Sequence, residues 1–412
     1  MLKTPLKLLD VTRFHFGRKD TSDLMIAVMN GKVVFNCHWD RLASASKYFE
    51  NMLTESRDNL PREVAFPEES SDGWNAVLSM VYPQLPPLTF QQTLLALPLI
   101  KQHDMACLIP RLPDVVGNPD ETMKTCEAAD ILCKHELSIA AWFENKAWAY
   151  KHAEEFINRC KSPGAVRAAG QFVYGTIIDS VSSYDTSHGP SKLYTRLKSF
   201  TGYPPYQAVK STASTASAFE MTFGNADAAN LLLTVPSMHC VTRFNCNWEV
   251  ISSALPLFAA MKRSNMKETV NNTVTLPGDH LAWKALLQRI HPPYDEFTLD
   301  EAVRVVPLLS WIDCEWVTSN VRNVLAAQAN SSLRRPFHAD VLYNHGMGDI
   351  VDVWFKDELW TSKAALRFLG ECDSVEALRR TSLTVLGAAT DIAKMTEMYH
   401  IPALDELKKW LK

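Results

Sequence analysis

The sequence lacks the features that mark membrane-embedded, secreted and nucleotide-binding proteins. A membrane-spanning helix needs about 20 consecutive apolar residues, and no run in this sequence approaches that length. Charged residues interrupt the segment 1–20 too often for a signal peptide. Neither of the glycine-rich phosphate loops, G-x-x-x-x-G-K-[ST] and G-x-G-x-x-G, is present. These absences predict a cytoplasmic or nuclear protein that does not associate with a membrane.

The sequence also has little net charge and no paired cysteines. The formal net charge is −4 over 412 residues, whereas proteins that bind nucleic acid or anionic lipid usually carry a basic excess. The nine cysteines are odd in number and never spaced as C-x-x-C, which indicates reduced thiols. His239, Cys240 and Cys246 come nearest to a metal-ligand cluster but lack a second close pair. We therefore expect no metal, no cofactor and no nucleic-acid partner.

An internal repeat dominates the sequence. The pentapeptide Phe35-Asn36-Cys37-His38-Trp39 returns as Phe244-Asn245-Cys246-Asn247-Trp248, an offset of 209 residues (244 minus 35). Further on, segment 129–135 matches 339–345 at an offset of 210, and Trp142, Phe143 and Trp148 match Trp354, Phe355 and Trp360 at an offset of 212. Short loop insertions between matched elements explain this drift. The repeat predicts two similar units, over roughly 20–165 and 226–400.

Each unit reads as a mixture of strands and helices. In the first, residues 24–28 and 33–37 flank Asn30-Gly31, which indicates a hairpin. Apolar spacing predicts a helix over 40–53, and a short strand follows at 63–66. Two more helices are predicted at 74–82 and 89–103, with Pro98 kinking or breaking the second. The second unit repeats the order, with strands at 231–235, 241–246 and 273–276 and helices at 251–261, 283–290 and from 299 on.

The first unit resembles the BTB/POZ family over about residues 20–112. The residues that carry the match are Asp23 at the strand opening and the pattern His38-x-x-x-Leu42-Ala43-x-x-Ser46-x-Tyr48-Phe49. The second unit is a degenerate copy, in which Asn247 replaces the histidine, Leu232 aligns with Asp23 and Leu257 replaces Tyr48. The helical segments 122–158 and 337–410 are similar to the BACK extension of many family members. No Kelch repeat, MATH domain or zinc finger is visible.

We therefore predict an α+β chain with two BTB/POZ-like domains, in each of which a small sheet packs with helices, and an α-helical BACK-like extension after each. The predicted boundaries are 20–112 for the first domain, 113–182 for its extension, 183–225 for a Ser-, Thr- and Ala-rich linker, 226–328 for the second, degenerate domain and 329–412 for its extension.

The resemblance implies two interaction surfaces. One is a dimer or domain interface, for which the candidate residues are Asp23, His38, Tyr48 and Phe49. The other is a contact for the cullin-3 scaffold of ubiquitin ligases, marked in the family by a hydrophobic residue, any residue and a glutamate. Leu53-Thr54-Glu55 and Met266-Lys267-Glu268 fit this triplet. The triplet is also common on any amphipathic helix, and core packing with one hydrogen bond is the alternative for His38.

The function expected from the resemblance is that of a non-enzymatic protein-interaction adaptor, such as one that recruits substrates to a cullin-3 ubiquitin ligase. The alternative is an oligomerisation scaffold, transcription-linked or cytoskeletal, that does not bind cullin. Tandem copies of a dimerising domain suggest either a homodimer or an intrachain pseudo-dimer. A hydrolase or transferase would require a polar pocket with convergent titratable groups. The matched tryptophans are expected in the core rather than around a ligand.

Overall fold

The computed structural model describes residues 12–16, 21–55, 60–82, 88–117, 119–182, 220–223, 227, 229–236, 241–264, 271–291, 296–327, 334–356 and 358–399. The chain divides into two compact units, residues 1–172 and 173–412. Each unit contains one four-stranded sheet and a set of helices, so the chain is mixed α+β and mostly helical.

The sheet of the first unit contains β1 (Thr12–His15), β2 (Leu24–Val28), β3 (Val33–Cys37) and β4 (Glu63–Phe66), in the order β1-β3-β2-β4. Strands β2 and β3 form the predicted antiparallel hairpin, while β1 and β4 add to it in parallel at either side. The turn holds Met29, Asn30 and Gly31 at φ values of 50°, 57° and 78°. Asparagine and glycine tolerate these positive angles, which explains why Asn-Gly marks the turn.

Four helices pack with this sheet: α1 (Trp39–Ala45), α2 (Lys47–Glu55), α3 (Ser71–Val81) and α4 (Phe90–Gln102). The sequence predicted a single helix over 40–53, and this was wrong. Ser46 interrupts it with extended backbone angles, φ −138° and ψ 123°. Its hydroxyl donates to the carbonyl oxygen of His103 at 2.5 Å and accepts from the amide of Phe49 at 3.2 Å. A residue distant in sequence therefore helps to stabilise the break.

The start of α4 is capped as its sequence suggests. Thr89 and Gln92 form a reciprocal capping box at its first turn. The helix then continues through Pro98 to Gln102, so this proline does not end it.

Helices α5 (Pro113–Gly117), α6 (Cys126–Lys134), α7 (Lys146–Arg159) and α8 (Pro163–Ser182) follow, with short 3-10 helices at Ala106–Arg111, Glu121–Met123 and Ala140–Glu144. Buried aromatic rings hold them together: Trp142 lies 6.4 Å from both Trp148 and Phe156 between ring centroids. The Asp130 carboxylate accepts the amides of Lys161 and Ser162 just before α8. The predicted core role of Trp142 and Trp148 is confirmed by their burial.

The second unit has the same sheet order. Its strands are β5 (Glu220–Thr222), β6 (Leu231–Pro236), β7 (Val241–Cys246) and β8 (Thr273–Thr275), in the order β5-β7-β6-β8, with the same parallel and antiparallel pairings. Strand β5 lies inside segment 183–225, which the sequence assigned to a linker. A three-residue edge strand gains its order from pairing with β7, and local composition does not reveal that partner.

The helices of the second unit are α9 (Trp248–Ala254), α10 (Pro256–Arg263), α11 (His280–Ile290), α12 (Leu299–Ile312), α13 (Glu315–Ala327), α14 (Pro336–Asn344), α15 (Gly348–Phe355), α16 (Glu358–Glu371) and α17 (Val375–Tyr399). The helix predicted over 251–261 is again two helices, separated at Leu255. Helix α13 is continuous, whereas Pro110 and Pro113 divide the corresponding stretch of the first unit.

Hydrogen bonds establish which residues correspond between the units. The backbone amide of Asp23 donates to the carbonyl oxygen of Cys37, and that of Asn230 donates to Cys246. The Asp23 side chain accepts a hydrogen bond from the backbone amide of Trp39, and the Asn230 side chain accepts one from that of Trp248; each tryptophan is the first residue of the next helix. The counterpart of Asp23 is therefore Asn230, and its sequence alignment with Leu232 was wrong. The hairpin of the second unit has two more residues, which shifts the register upstream of β7.

Candidate interaction surface

Asp23 acts as a helix cap within its own unit. Its Oδ1 accepts the backbone amide of Trp39 at 2.9 Å, at the first residue of α1. His38 occupies the cap position itself but its side chain makes no capping bond. A carboxylate at this place satisfies one of the unpaired amides of the first turn and lies favourably in the helix dipole. Asp23 is nevertheless exposed, and its role at an interface remains a prediction.

His38 joins the end of β3 to the end of α3. Its Nδ1 lies 3.1 Å from the Tyr82 hydroxyl, which also accepts the His38 backbone amide at 2.9 Å. Its Nε2 lies 3.0 Å from the Thr21 hydroxyl. Burial raises the pKa of Tyr82, so this phenol is protonated at neutral pH. The histidine therefore has hydrogen-bond partners at both ring nitrogens, one more than the sequence suggested.

Tyr48 and Phe49 are adjacent in sequence but differ in exposure. Phe49 is completely buried and its ring contacts those of Trp39 and Trp74 at 5.9 and 6.2 Å. Its side chain thus belongs to the core of the unit and offers no surface to a partner. Tyr48 is 40% exposed and leans on His103 at 5.3 Å between centroids. Of this pair, Tyr48 alone is available to a partner.

Leu53 and Glu55 lie on the last turn of α2. Leu53 is half-buried and Glu55 is exposed. Tyr48, Met52 and Glu55 follow one another at spacings of four and three residues, so they line one side of the helix. An aromatic ring, one apolar side chain and a carboxylate are therefore grouped on the outer side of α2, whereas Leu53, four residues after the buried Phe49, lies on the inner side. Met266 and Glu268, the matching candidates of the second unit, lie outside the described residues.

A buried polar cluster behind Tyr48 went unnoticed in the sequence. The Glu69 carboxylate accepts hydrogen bonds from Nε1 of Trp74 at 2.6 Å and from Nε2 of Gln102 at 2.7 Å. It also lies 3.0 Å from Nε2 of His103. The imidazole is buried among the rings of Tyr48, Phe49, Phe66 and Trp74. In the second unit the corresponding indole, that of Trp283, donates to the carbonyl oxygen of Pro277 instead. The sequence carries the reason for this difference, because Gly278 stands five residues before Trp283 where Glu69 stands five residues before Trp74.

Most of the described thiols are shielded from solvent. Eight described cysteines form no disulfide bond, and seven of them are buried or half-buried. Burial raises the pKa of the Cys246 thiol to about 12 and also raises that of Cys37, which suppresses the reactive thiolate. The described residues contain no cluster of three metal-binding side chains. None of the described helices is long and apolar enough to cross a membrane.

Comparison with protein families matched residues 15–108 to the BTB/POZ domain, in one copy. The matched segment runs from the end of β1 through α4 and contains the hairpin, the Ser46 break and the Glu69 cluster. No curated protein matched the chain. Domains of this family mediate protein–protein interaction and dimerisation. The first unit therefore contains a BTB/POZ domain at residues 15–108, which supports a general role in protein interaction.

Proposed function

We propose that this chain is a non-enzymatic adaptor that uses its BTB/POZ domain to engage a cullin-3 type ubiquitin ligase and to recruit a substrate to it. The observations that carry the proposal are the family match at 15–108 and the last turn of α2, where Leu53 is half-buried and the half-buried Met52 lies on the same side as the exposed Glu55. An apolar side chain next to a carboxylate suits a partner that inserts an apolar group and donates a hydrogen bond beside it.

Tyr48 extends this contact. Its ring lies against Phe66 and His103 in the domain while 40% of its surface faces solvent. Aromatic side chains held in place by the core lose little entropy on binding, which makes them effective anchors. Asp23 and His38 are committed to bonds within the domain, so their part in a dimer interface would come through the geometry of α1 rather than through direct contact.

The second unit is proposed to be a diverged copy of the same domain with a BACK-like extension of its own. Support comes from the shared sheet order, the equivalent caps Asp23 and Asn230, and the helix break at Ser46 and Leu255. Its contribution to cullin binding would depend on Met266 and Glu268. A homodimer and an intrachain pseudo-dimer are both compatible with the proposal, as is a cytoplasmic or nuclear location.

The competing proposal is an oligomerisation scaffold, transcription-linked or cytoskeletal, without cullin binding. Family membership of residues 15–108 supports both equally, because both use the domain for protein contact. They differ in one measurable property, which is affinity for the cullin-3 N-terminal region.

The test is a binding titration of the full chain against the N-terminal part of cullin-3, with Leu53→Asp and Met266→Asp run beside the wild type. Leu95→Asp is the matched control, because Leu95 is an exposed leucine on α4 in the same domain. We expect saturable binding that Leu53→Asp weakens at least about tenfold, which corresponds to about 1.4 kcal/mol, and that Leu95→Asp leaves unchanged.

Absence of binding by the wild type would reject the ligase proposal and favour the scaffold. Loss of binding in Met266→Asp alone would move the contact to the second unit. Sedimentation of the wild type at several concentrations separates a homodimer from a monomer that contains both copies.

A further inference from the structure

Two buried thiols meet in the first helical extension, where α6 begins and α7 ends. Cys126 is the first residue of α6, and Cys160 directly follows the last residue of α7. The Sγ of Cys126 lies 4.0 Å from the carbonyl oxygen of Glu155, near the end of α7. The thiols of Cys126 and Cys160 are hydrogen-bond partners. Their side chains are 6% and 0% exposed, so this contact lies inside the extension.

Contacts on both sides of this pair hold it in place. The carboxylate of Glu127 lies 3.9 Å from the guanidinium of Arg159, the residue before Cys160. Asp130, one turn further along α6, accepts the backbone amides of the two residues that follow Cys160, at 2.9 and 2.7 Å. The chain on either side of Cys160 is therefore fastened to α6, and the packing of the two helices keeps the thiols together.

Cys372 is the counterpart of Cys160 in the second extension. Asp340 accepts the backbone amides of the two residues that follow Cys372, as Asp130 does for the two residues that follow Cys160. The match between the two cysteines therefore rests on the same hydrogen-bonded geometry in both extensions.

The second extension has a proline opposite Cys372. At the offset of 210 residues that relates the two aspartates, Pro336 takes the place of Cys126 and the exposed Phe337 takes that of Glu127. The Sγ of Cys372 lies 3.9 Å from the carbonyl oxygen of Pro336. The fold thus accepts a residue without a thiol at this place, so packing alone does not explain why the first extension has a pair of cysteines.

We propose that Cys126 and Cys160 form an oxidation site, at which hydrogen peroxide or another hydroperoxide converts the two thiols into a disulfide bond that ties α6 to α7. Disulfides of proteins in reducing compartments are usually transient and redox-sensing. The two residues are 34 positions apart (160 minus 126), so the bond encloses both helices in one loop. The proposal concerns the first helical extension and does not depend on cullin binding.

The sulfur of Cys126 reacts first, because Cys126 is the less buried of the two residues. Its thiolate attacks one peroxide oxygen and the O–O bond breaks, which leaves a sulfenic acid and releases one water once the leaving hydroxide takes up the thiol proton. The sulfur of Cys160 then attacks the sulfur of Cys126 and forms the S–S bond. The proton of Cys160 leaves with the hydroxide as a second water. The two thiols lose two electrons, and the peroxide gains them.

Burial makes this reaction slow and protects its product. Burial raises the pKa of both thiols, which keeps the thiolate scarce at neutral pH. At Cys126 the hydrogen bond from Cys160 lowers the pKa and offsets part of this effect. The reaction therefore proceeds during brief local openings at the start of α6. When the helices close again, they bury an uncharged disulfide away from reducing agents.

The test is oxidation of the full, reduced chain with hydrogen peroxide, followed by alkylation of the remaining thiols and mass spectrometry of unreduced peptides. Cleavage after glutamate separates Cys126 from Cys133, the other thiol of α6, because Glu127 lies between them. Cys107 is exposed and reports the reaction of an accessible thiol. The test variant is Cys126→Ser, and the matched control is Cys133→Ser on the same helix.

We expect a linked Cys126–Cys160 peptide in the wild type and in Cys133→Ser, none in Cys126→Ser, and an alkylated Cys372 in all three. Closing a long loop restricts the unfolded chain, so backbone hydrogen exchange in α6 and α7 should slow at least about tenfold in the oxidised wild type. Peroxide should leave that exchange unchanged in Cys126→Ser. Thermal melting under reducing conditions checks that this variant is folded. Cys126→Pro is a second variant, since proline is favoured at the first position of a helix.

Oxidation of Cys107 without a Cys126–Cys160 link would overturn the proposal. So would a link between Cys160 and Cys133, or a Cys126–Cys160 link that forms equally well in a chain unfolded in urea, because the native contact would then not direct the reaction. A link that leaves hydrogen exchange in α6 and α7 unchanged would show that the bond does not tie the helices together.

Discussion

Replacing Glu69 with alanine is expected to destabilise the BTB/POZ domain strongly. The carboxylate accepts the indole N–H of Trp74 at 2.6 Å and faces Nε2 of His103 at 3.0 Å, and both side chains are buried. Loss of the acceptor leaves two buried groups without a partner, and each costs about 1–3 kcal/mol. The expected loss is therefore about 2–6 kcal/mol, with the lower end applying if water enters the vacated space. Gln102 is exposed, so water can replace its bond.

Hydrogen exchange of the full chain is the suitable assay, because unfolding of a chain with two units need not be two-state. Peptides covering α3 and α4 should lose protection in Glu69→Ala, while those covering α11 and α12 in the second unit should not. Glu68→Ala is the matched control, since Glu68 is the exposed neighbouring glutamate. The double variant Glu69→Ala/His103→Ile places at 103 the isoleucine that the second unit has at 312. It removes the buried imidazole that Glu69→Ala leaves without a partner, and should therefore recover part of the lost stability. A loss below about 1 kcal/mol in Glu69→Ala would refute the reasoning.

Two further predictions follow from the paired units. Asp23→Ala and Asn230→Ala should each lower the free energy of unfolding by about 0.5–2 kcal/mol, as loss of an N-cap does. Backbone hydrogen exchange should become faster in α1 for the first variant and in α9 for the second. An effect in only one of the two units would contradict the equivalence of Asp23 and Asn230. Burial lowers the pKa of His291, whose Nε2 has no hydrogen-bond partner, so the unfolded chain takes up its proton first as pH falls. The second unit should then lose stability below about pH 6.5, and His291→Phe should flatten that dependence in melts recorded from pH 8 to pH 5.

The sequence predicted the helices and strands that are determined by residues close together in the chain. Asn30-Gly31 indicated the first hairpin because only a few residue types accept its positive φ angles. The helix predicted over 89–103 is observed as α4, and Thr89 and Gln92 cap its first turn. The repeat at Phe35 and Phe244 predicted that a second unit would follow the same order of strands and helices, and the sheet order agrees.

Features that depend on contacts between residues far apart in the sequence were missed. The break at Ser46 is stabilised by a hydrogen bond to the carbonyl oxygen of His103, and strand β5 pairs with β7. The equivalence of Asp23 and Asn230 was hidden because the longer second hairpin moves the register by two residues. The family resemblance made Phe49 an interface candidate together with Tyr48, although the ring of Phe49 is completely buried in the core. In each case the deciding contact joins residues that no short window of sequence contains.

Comparison of the two units separates what the fold requires from what it tolerates. Side chains that cap a helix from another element persist, as with Asp23 and Asn230, because their loss costs a sizeable part of a total stability of about 5–15 kcal/mol. Exposed positions carry no such penalty, since most surface substitutions change stability by less than about 0.5 kcal/mol. The fold therefore sets little preference between Glu127 and Phe337. Positions of this kind are where two copies of one architecture are free to acquire different partners.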